Sequence, residues 1–553
     1  MLPRQHISTD AMGNFLSKGL PTGSPNHSDA TSQQNGKLGH QKGKSLTEDL
    51  SSARQFVASL LDGSYQGGDL EAFTSAHPSY NQVSKAFNKR LDPKPDLIVC
   101  PRTQQELSQL LQKVYQAKAS GAPGSSLVRV VMRSGGHHYG AFSSGSADGD
   151  ELNTAVVVID LKAFATVEYD ASSEVVTIGA GTRLGRVAEK LWEHRRALPH
   201  GVCPTVGIGG HAAHGGFGFT SRAWGLTLDR IVEIEAVLAD GSIVIASEKQ
   251  NDDLFWALRG AGPSFAVITT YKLLTVPVPA ANSYFAYEWP DVRPEDSSKL
   301  LRHYQEWMSS VPAELGMAFM LLPGSRPGVN KLYMNGQYLG DWDGLRAALT
   351  PLLQLFHEML GQPSETNEKS YTWPEMMVQL GQGTGTSDTF YASSLAIHEG
   401  HEMDEKQCLA FTTYLAQNGC RDKTEWFVMA DNWGGQHSVI NRVPKDKMAC
   451  NARSNLYLWQ FYTRMLDRQP PFDNSGIEFV KGMLDSIVNS RSQEEGTTWT
   501  YSSNVNYPDA EMSREEAQKM YYGDKVDKLR QIKTKYDPHD VFSYKQSIQP
   551  LSN

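Results

Sequence analysis

The stretch that decides the fold is Gly201-Val-Cys-Pro-Thr-Val-Gly-Ile-Gly-Gly-His-Ala-Ala-His-Gly-Gly-Phe-Gly218, which holds seven glycines and one cysteine in eighteen residues. Glycine lets backbone N–H groups approach a ligand closely, because it has no side chain and reaches positive φ angles without strain. So much glycine does not serve packing. We interpret the segment as a loop around something large, flat and anionic at one end, and a nucleotide cofactor is the natural candidate.

A second glycine loop lies upstream, at Val131-Met-Arg-Ser-Gly-Gly-His-His-Tyr-Gly-Ala-Phe-Ser-Ser144, and overlaps the end of the β-branched run 127–132. A strand that ends in Ser-Gly-Gly is a place where consecutive amides turn toward a phosphate. Neither loop matches the Rossmann fingerprint, which needs G-x-G-x-x-G at the start of a helix and an acidic residue about 20 positions later. The chain also lacks a G-x-x-x-x-G-K-[ST] motif. The predicted cofactor site is therefore of another kind.

Together, Arg133-Ser-Gly-Gly-His137 and Gly201-x-Cys203-x-x-Val-Gly-x-Gly-Gly210 closely resemble the loops of the berberine bridge enzyme-like flavoprotein oxidases. This family is a branch of the vanillyl-alcohol oxidase and p-cresol methylhydroxylase flavoproteins. The resemblance runs from about Pro95 to Pro550 and is strongest to fungal oxidases of the glucooligosaccharide oxidase type. It implies a flavin adenine dinucleotide (FAD) held by two covalent bonds, from His137 to the 8α-methyl group and from Cys203 to C6.

The resemblance also implies which residues surround the FAD. Besides His137 and Cys203, the predicted cofactor contacts are Arg133, Ser134, Gly135, Gly136, Gly207, Gly209, Gly210, Gly215 and Val267. Taken singly, a cysteine is more often a small buried apolar group, and a histidine in a glycine loop is more often a hydrogen-bonding group. Their joint occurrence in the two expected loops favours covalent attachment. His211 and His214 lack a carboxylate or cysteine partner at ligand spacing, so we predict no metal and interpret both as packing against the loop.

The composition excludes several function classes. Lys and Arg number 52 against 61 Asp and Glu, a net charge of −9, so electrostatics gives no support to nucleic-acid binding. No apolar run approaches the roughly 20 residues needed to span a bilayer, so we predict no membrane partner. Five cysteines are too few and too scattered for a disulfide framework. If Cys203 holds the flavin, the other four either pair or stay reduced.

The pattern of elements and the resemblance together predict an α+β protein with two lobes, a vanillyl-alcohol oxidase-type FAD domain and a substrate domain whose sheet is covered by helices. Residues 1–46 are polar and aperiodic, which predicts a disordered tail. We assign residues 47–275 to the FAD-binding domain, with a core from about residue 93, and residues 276–500 to the substrate domain. Residues 501–553 are predicted to return to the FAD domain. Thr47 is the predicted start of the first helix, and residues 183–197 are predicted to form another.

The start of the chain bears on localisation. Met1-Leu-Pro-Arg-Gln-His-Ile-Ser8 has neither the basic n-region nor the apolar h-region of a secretory signal peptide, so we expect a cytoplasmic enzyme, although relatives are often secreted. The glycosylation sequon Asn26-His-Ser28 points weakly the other way. The sequence does not indicate the oligomeric state.

Oxidation of an alcohol needs a group that takes the proton of the substrate as its hydride leaves. In the glucooligosaccharide oxidase branch this is a tyrosine near the C-terminus paired with an aspartate of the substrate lobe, which implies Tyr507 and Asp431. A phenol is a poor base at neutral pH, and a negative aspartate beside it raises its pKa further. We therefore expect a concerted proton relay rather than a resting phenolate. Without the resemblance, Asp431 reads as a turn residue and Tyr507 as a core tyrosine.

Four further residues are predicted to face the substrate. Tyr139 and Gln460 match positions that do so in relatives. Asn504 stands where the terminal motif of the family begins with Tyr, and Met429 stands where sugar oxidases of this branch carry Gln. Because residues two apart on a strand share a face, Met429 is expected in the same cavity as Asp431. An apolar wall leaves sugar hydroxyls unsatisfied, so we expect a more hydrophobic alcohol or a phenolic substrate.

The sequence thus predicts an FAD-dependent oxidase that removes a hydride from an alcohol or amine carbon of a small secondary-metabolite intermediate and passes the electrons to O2, which becomes hydrogen peroxide. The alternatives are an oligosaccharide oxidase, a dehydrogenase with another electron acceptor, and a flavin-binding protein without activity. Tyr507 and Asp431 argue against the last of these, whereas Asn504 and Met429 leave it open.

Overall fold

The computed structural model describes residues 42–62, 65, 70–145, 153–492 and 498–552. Most of the predicted tail, with its sequon, lies outside the described residues. The first helix begins at Lys42 rather than at Thr47, so its start was predicted five residues too late. Lysine is a good helix former, and the helix continues back past the expected capping residue.

The described part of the first lobe contains both helices and strands. Their ranges are α1 (Lys42–Ser59), α2 (Tyr80–Val83), α3 (Gln104–Ser120), α4 (Leu184–Trp192), α5 (Ile208–Ala213), α6 (Ser221–Trp224) and α7 (Asp252–Ala261). A four-stranded sheet in the order β1-β2-β4-β3 begins this lobe. Its strands are β1 (Glu71–Phe73), β2 (Leu97–Cys100), β3 (Val128–Arg133) and β4 (Ala155–Asp160). β2 and β3 both run parallel to β4, and α3 connects them, so the first glycine loop leaves the end of a buried parallel strand.

A five-stranded antiparallel sheet, in the order β5-β6-β10-β8-β9, completes the lobe. The strands of this part are β5 (Val167–Asp170), β6 (Val175–Gly179), β7 (Arg196–Ala197), β8 (Ile231–Leu238), β9 (Ile243–Ser247), β10 (Ala266–Leu274) and β11 (Val276–Pro277). The helix predicted over residues 183–197 is shorter, because α4 ends at Trp192. Arg195 takes a positive φ of 57°, and the next two residues pair as β7 with β11. Tertiary pairing ends this helix before its sequence pattern does.

The second lobe is an eight-stranded antiparallel sheet in the order β15-β12-β14-β13-β17-β18-β16-β19. Its strands are β12 (Ser283–Val292), β13 (Leu315–Pro323), β14 (Asn330–Tyr338), β15 (Glu365–Ser370), β16 (Phe390–His398), β17 (Thr424–Asn432), β18 (Asn455–Met465) and β19 (Tyr501–Ser502). The helices that follow α7 are α8 (Pro294–Met308), α9 (Trp342–Leu360), α10 (Trp373–Gly381), α11 (Glu405–Asn418), α12 (Ser475–Val488), α13 (Arg514–Tyr522) and α14 (Val526–Tyr536). The two-lobed α+β class predicted from the sequence is confirmed.

The two faces of this sheet have different surroundings. Large apolar side chains such as Phe319, Val428 and Trp459 are fully buried beneath α8, α9, α11 and α12. Alternate residues of the same strands point to the opposite face, toward the first lobe. The end of the chain crosses between the lobes, since β19 pairs with β16 and the amide of Val130 in β3 donates to the carbonyl of Val541 at 3.0 Å. Within the described residues, no helix is both long and apolar enough to cross a membrane.

Candidate active site

A cavity of about 1930 Å³ lies between the two lobes. The two glycine loops form its wall on the first lobe, and the open face of the eight-stranded sheet forms its wall on the second. The residues predicted from the sequence that line it are Ser134, Gly135, Gly136, His137, Tyr139, Cys203, Gly207, Gly209, Gly210, Gly215, Met429, Asp431, Gln460, Asn504 and Tyr507. Both lobes and the C-terminal segment therefore contribute to one site.

Two residues predicted to contact the cofactor do not line this cavity. Arg133 Nη2 forms an ion pair with Asp160 at 2.7 Å, and its Nη1 donates to the carbonyl of Val83 at 2.9 Å. The arginine thus anchors the base of the first loop. Val267 is fully buried in β10, whereas its neighbours at 266 and 268 line the cavity. Because side chains alternate along a strand, the prediction chose the wrong face here.

The two loops meet through their backbones at glycine. A side chain on Gly135 would collide with the backbone of Gly207, and one on Gly207 would collide with Gly135 and with the Ser134 hydroxyl. Ser134 Oγ donates to the carbonyl of Ala180 at 2.6 Å and so fixes the turn. Gly210 differs, because a Cβ atom there would meet nothing within 4 Å. The Cα atom of Gly210 therefore faces open space into which a ligand can come close.

His137 lies in the first loop with its ring held against an aromatic side chain. The ring of Phe87 stacks on it with centroids 4.0 Å apart and planes at 25°. Burial, followed by the positive charge of Arg183, lowers the pKa of His137 to about 4. The imidazole is therefore neutral at physiological pH and has a free lone pair on one ring nitrogen.

Cys203 projects from the second loop into the same cavity. Its Sγ lies 3.5 Å from the hydroxyl of Thr205, which in turn lies 3.5 Å from the carbonyl of Gly385 in the second lobe. All five cysteines lie within the described residues, and none forms a disulfide. The four cysteines whose state the sequence left open are therefore unpaired here, and Cys203 is the half-buried thiol that faces the site.

The two histidines of the second loop connect it to other backbone segments. His211 Nε2 accepts from the amide of Gly201 at 3.1 Å. Asn506 Nδ2 donates to the carbonyls of His211 and His214 at 3.3 and 3.4 Å, which ties the C-terminal segment to the loop. In the part of the chain that the structure describes, no group of three or more His, Cys, Asp or Glu residues is placed to hold a metal ion.

Asp431 and Tyr507 are an ionisable pair that lines the cavity. Asp431 is 3% exposed, and its Oδ2 atom has no hydrogen-bond partner among the described residues. Burial raises the pKa of this carboxyl to about 8. Burial, and after it the Asp431 charge, also holds the pKa of Tyr507 well above its usual value. The phenol is thus protonated at rest, beside a carboxyl that titrates near neutral pH.

Tyr139 and Gln460 extend this pair with a hydrogen bond across the lobes. Gln460 Nε2 donates to the hydroxyl of Tyr139 at 2.9 Å. The rings of Tyr139 and Tyr507 lie parallel within 11°, with centroids 6.0 Å apart. Burial raises the pKa of Tyr139 as well. Two protonated phenols therefore stand side by side, close to the first glycine loop.

Two methionines form an apolar strip on the sheet beside Asp431, within a cavity wall that also contains polar and charged side chains such as Lys331 and Arg464. Met429 on β17 pairs with Met320 on β13 and with Gln460 on β18, so the three side chains form one row across the sheet. Both methionines line the cavity, and Leu322 lines it in the next row. We call Met320 and Met429 the methionine pair. It gives the strip of sheet between Gln460 and Tyr333 an apolar, adaptable surface, because the thioether side chain is flexible and polarizable.

Ser394 on β16 holds the C-terminal segment in place. Its Oγ donates to the carbonyl of Tyr507 at 2.9 Å and accepts from the amide of Asn504 at 3.0 Å. Ser503 Oγ donates to the carbonyl of Ser394 at 2.8 Å. The side chain of Asn504 accepts from the amide of Asn506 at 2.8 Å, so it stabilises the turn that presents Tyr507.

Comparison with known proteins agrees with this site. A family model described as an FAD binding domain matches residues 95–247, and one described as berberine and berberine like matches residues 503–549. Glucooligosaccharide oxidase of Sarocladium strictum is 31% identical over 498 residues, which cover 88% of this chain and 93% of that protein. The chain belongs to the berberine bridge enzyme-like FAD-linked oxidases.

Two further proteins resemble this oxidase over most of its length. Chitooligosaccharide oxidase of Gibberella zeae is 32% identical over 487 residues, covering 85% of this chain and 91% of that protein. A solved structure of Acremonium strictum glucooligosaccharide oxidase, described with a 6-S-cysteinyl, 8α-N1-histidyl FAD, has a TM-score of 0.76. It is 28% identical and covers 91% of this chain and 100% of its own. The family predicted from the two loops is confirmed.

The cavity of this flavoprotein oxidase suits FAD. Glycines of both loops line it, and the Cα atom of Gly210 faces open space. A neutral imidazole at His137 and a thiol at Cys203 both project into it. Such a wall lets a dinucleotide come close to the backbone and has two nucleophilic side chains. The residues present therefore fit the cofactor.

The sequence did not reveal several residues of the oxidase that the fold brings to this site. They are Phe87, Arg183, Met320 and Ser394. Phe87 lies fifty positions before its histidine partner, and Met320 lies on a different strand from Met429, so no local pattern connects either pair. Arg183 was expected only as the start of a helix. The one sequence signal that would have indicated Arg183 is its position as a charged residue directly before a predicted helix.

Proposed function

We propose that this flavoprotein oxidises a hydroxyl-bearing carbon of a small, largely apolar metabolite and uses O2 as its electron acceptor. The observation that carries the proposal is the placement of Asp431 and Tyr507 in the cavity that also holds His137 and Cys203. A protonated phenol and a carboxyl with a pKa of about 8 in one cavity form a relay whose proton-accepting carboxylate increases as the pH rises through about 8.

In this proposal Tyr507 accepts the hydroxyl proton of the substrate while its own proton moves to the Asp431 carboxylate. The two transfers occur together, because burial disfavours a free phenolate. When bound, FAD accepts the hydride and returns two electrons to O2. The alcohol thus loses one hydride and one proton, and O2 gains two electrons and two protons to become hydrogen peroxide.

We further propose that His137 and Cys203 are the two attachment residues for the cofactor. The solved glucooligosaccharide oxidase described above has a histidyl and a cysteinyl link to its FAD. Here His137 is neutral and stacked, and Cys203 is unpaired and half-buried, so both side chains have a free nucleophilic atom. Covalent attachment is one means by which a protein tunes the electronics of its cofactor.

The methionine pair supports an apolar substrate. A sugar ring presents several hydroxyl groups, and each one left without a partner in a buried site costs about 1–3 kcal/mol. Met320 and Met429 offer no hydrogen-bond donor and only a weak acceptor where such hydroxyls would lie. An aromatic or alkyl alcohol contacts the same surface without this cost.

An oligosaccharide oxidase is the second candidate, and one observation favours it. Relatives at 31% and 32% identity are named for glucooligosaccharides and chitooligosaccharides. The wall also contains polar groups at Gln460 and Tyr139 that suit a sugar hydroxyl. The two candidates share the relay and differ in the surface next to it.

Anaerobic reduction of the bound flavin tests the proposal. The purified holoenzyme is mixed with aromatic alcohols, long-chain primary alcohols, cellobiose and chitobiose, and loss of flavin absorbance is followed before air is admitted and peroxide is measured. We expect an apolar alcohol to reduce the flavin fastest and Tyr507→Phe to suppress that reduction. Faster reduction by the sugars selects the second candidate, and reduction without peroxide release identifies a dehydrogenase. If no donor reduces the flavin, the proposed activity is wrong.

A further inference from the structure

Arg183 is the residue that precedes α4, and its side chain reaches both glycine loops. Its Nη1 donates to the carbonyl of Gly135 at 2.8 Å and to the carbonyl of Thr205. Gly135 is two residues before His137, and Thr205 is two residues after Cys203. One guanidinium group therefore joins the backbones next to both of the proposed attachment residues.

The start of α4 reinforces this junction. The first amides of a helix have no partner within the helix and need acceptors from elsewhere. Here Leu184 N donates to the carbonyl of Val206 at 2.9 Å, and Gly185 N donates to that of Pro204 at 3.0 Å. The second loop is thus fixed along the first turn of α4. Arg183 adds a hydrogen bond to the first loop, at the carbonyl of Gly135. The two loops also contact each other directly, where Gly135 lies against Gly207.

We propose that Arg183 is a positioning residue for covalent attachment of FAD, because it sets the separation of His137 and Cys203 so that both reach one flavin ring. This inference rests on the proposed attachment residues. A single rigid ring has fixed distances between its two reacting carbons, so both bonds form only when the two loops are held in register. A shift of about 1 Å in such an arrangement slows a reaction roughly a hundredfold.

Charge and orientation at His137 agree with this role. The imidazole is clamped on one side by Phe87. The Arg183 charge acts with burial to keep His137 in its neutral form, and only the neutral ring has a lone pair for bond formation. The same guanidinium thus favours the reactive form of one residue and the position of both.

The chemistry of attachment balances with the oxidant that the proposed function already uses. The His137 nitrogen replaces one hydrogen on the 8α carbon, and the Cys203 sulfur replaces the hydrogen on C6. Formation of each of the two bonds releases two protons and two electrons, and these reduce one O2 to hydrogen peroxide. Arg183 takes no part in these transfers.

The test is the extent of double attachment in purified full-length protein. Arg183→Ala and Arg183→Lys are compared with wild type and with Arg186→Ala, a matched control because Arg186 lies on the exposed side of the same helix. Each protein is denatured and digested, and mass spectrometry measures peptides joined to FAD at residue 137 only, at residue 203 only, or at both. Peptides are compared at early times of expression, with melting temperature measured in parallel.

We expect Arg183→Ala to lower the early doubly attached fraction by about tenfold, with a matching rise in singly attached peptides. Arg183→Lys keeps the charge on a different head group, so its doubly attached fraction should lie between those of wild type and Arg183→Ala. Arg186→Ala should match wild type. These ratios are measured on soluble, folded protein, so a general loss of stability would lower the yield without changing them.

Two other results have distinct meanings. If both Arg183 variants show the wild-type ratio of double to single attachment, the positioning role is overturned. Arg183→Ala is also combined with Cys203→Ala and, separately, with His137→Ala, so that only one link to FAD can form in each protein. If Arg183 positions the two loops, its loss should slow each single link less than it slows formation of both links together. A wild type that lacks one or both links contradicts the proposed attachment residues themselves.

Discussion

The two walls of the active site are built in opposite ways. On the FAD side, bare backbone forms the wall, and Gly135 and Gly207 approach so closely that neither position accepts a side chain. On the substrate side, long side chains such as Met320, Met429 and Gln460 project from a regular antiparallel sheet. The first wall fixes one shape through the chain itself, and the second can change with each residue while its backbone stays the same.

This difference predicts which wall of the site tolerates substitution. Where the two loops meet, few substitutions are tolerated, because an atom added at Gly135 or Gly207 collides with backbone. A sheet face keeps its hydrogen bonds whatever side chain it presents, so polarity can be exchanged row by row. We therefore expect the cofactor to be common to relatives and the substrate to be specific to this chain.

The largest expected effect concerns the FAD wall. In His137→Ala combined with Cys203→Ala, no FAD should remain attached after acid denaturation, because both proposed covalent bonds are gone. Intact mass measures this directly. Each single variant should keep its FAD through the other residue, and a double variant that retains the added mass would contradict the assignment.

The next effect concerns the relay of the substrate wall. Tyr507→Phe removes the proton acceptor and should lower the rate constant of anaerobic flavin reduction by about 10² to 10⁴. Stopped-flow absorbance follows this step. Tyr522→Phe, a change at another tyrosine that lines the cavity, is the control and should leave the rate near wild type. Equal rates in the two variants would remove Tyr507 from the relay.

A paired substitution tests the backbone wall. Gly207→Ala places a methyl group against Gly135 and Ser134, and this overpacking should lower the free energy of unfolding by about 1–3 kcal/mol. Gly210→Ala has open space and should leave the stability of the FAD-free protein almost unchanged while impairing FAD binding. Thermal melts with and without FAD separate the two. If Gly207→Ala and Gly210→Ala lowered the stability equally, the close contact between the two loops would not be the reason that position 207 requires glycine.

The pH dependence of flavin reduction tests Asp431. Burial raises the pKa of its carboxyl to about 8, and the ionised form accepts the proton. The fraction ionised, and with it the rate constant, should therefore rise about tenfold from pH 7 to pH 9 and then level. Asp431→Asn should be slower and lack this rise. The opposite slope, with faster reduction at low pH, would exclude an ionised Asp431 as the base.

The smallest expected effect is a change of preference on the sheet. Met429→Gln supplies a hydrogen-bonding group, worth about 1 kcal/mol, so kcat/KM should rise about fivefold for cellobiose and fall by a similar factor for an aromatic alcohol. Steady-state peroxide assays measure both. Met320→Leu keeps the surface apolar and serves as the control. An unchanged ratio of the two substrates would mean that the methionine pair does not determine specificity.

The sequence revealed much of this enzyme because its most constrained parts are local. The strand before the first loop and the glycines that follow it are read from short patterns. The family followed from the two loops alone. The predictions failed where tertiary contacts override a local pattern. The helix ends early, at Trp192, because the residues after it pair with another strand. Val267 does not line the cavity, whereas the residues on either side of it do.

The sequence by itself thus determined the chemistry available to this protein, namely two bare loops with a histidine and a cysteine, and the residue types of the proposed relay. Only the tertiary structure decided which of these residues meet. The register between β13 and β17 joins Met320 to Met429, and the reach of Arg183 joins Gly135 to Thr205. Local preference acts over a few residues, whereas these contacts depend on packing between segments far apart in the chain.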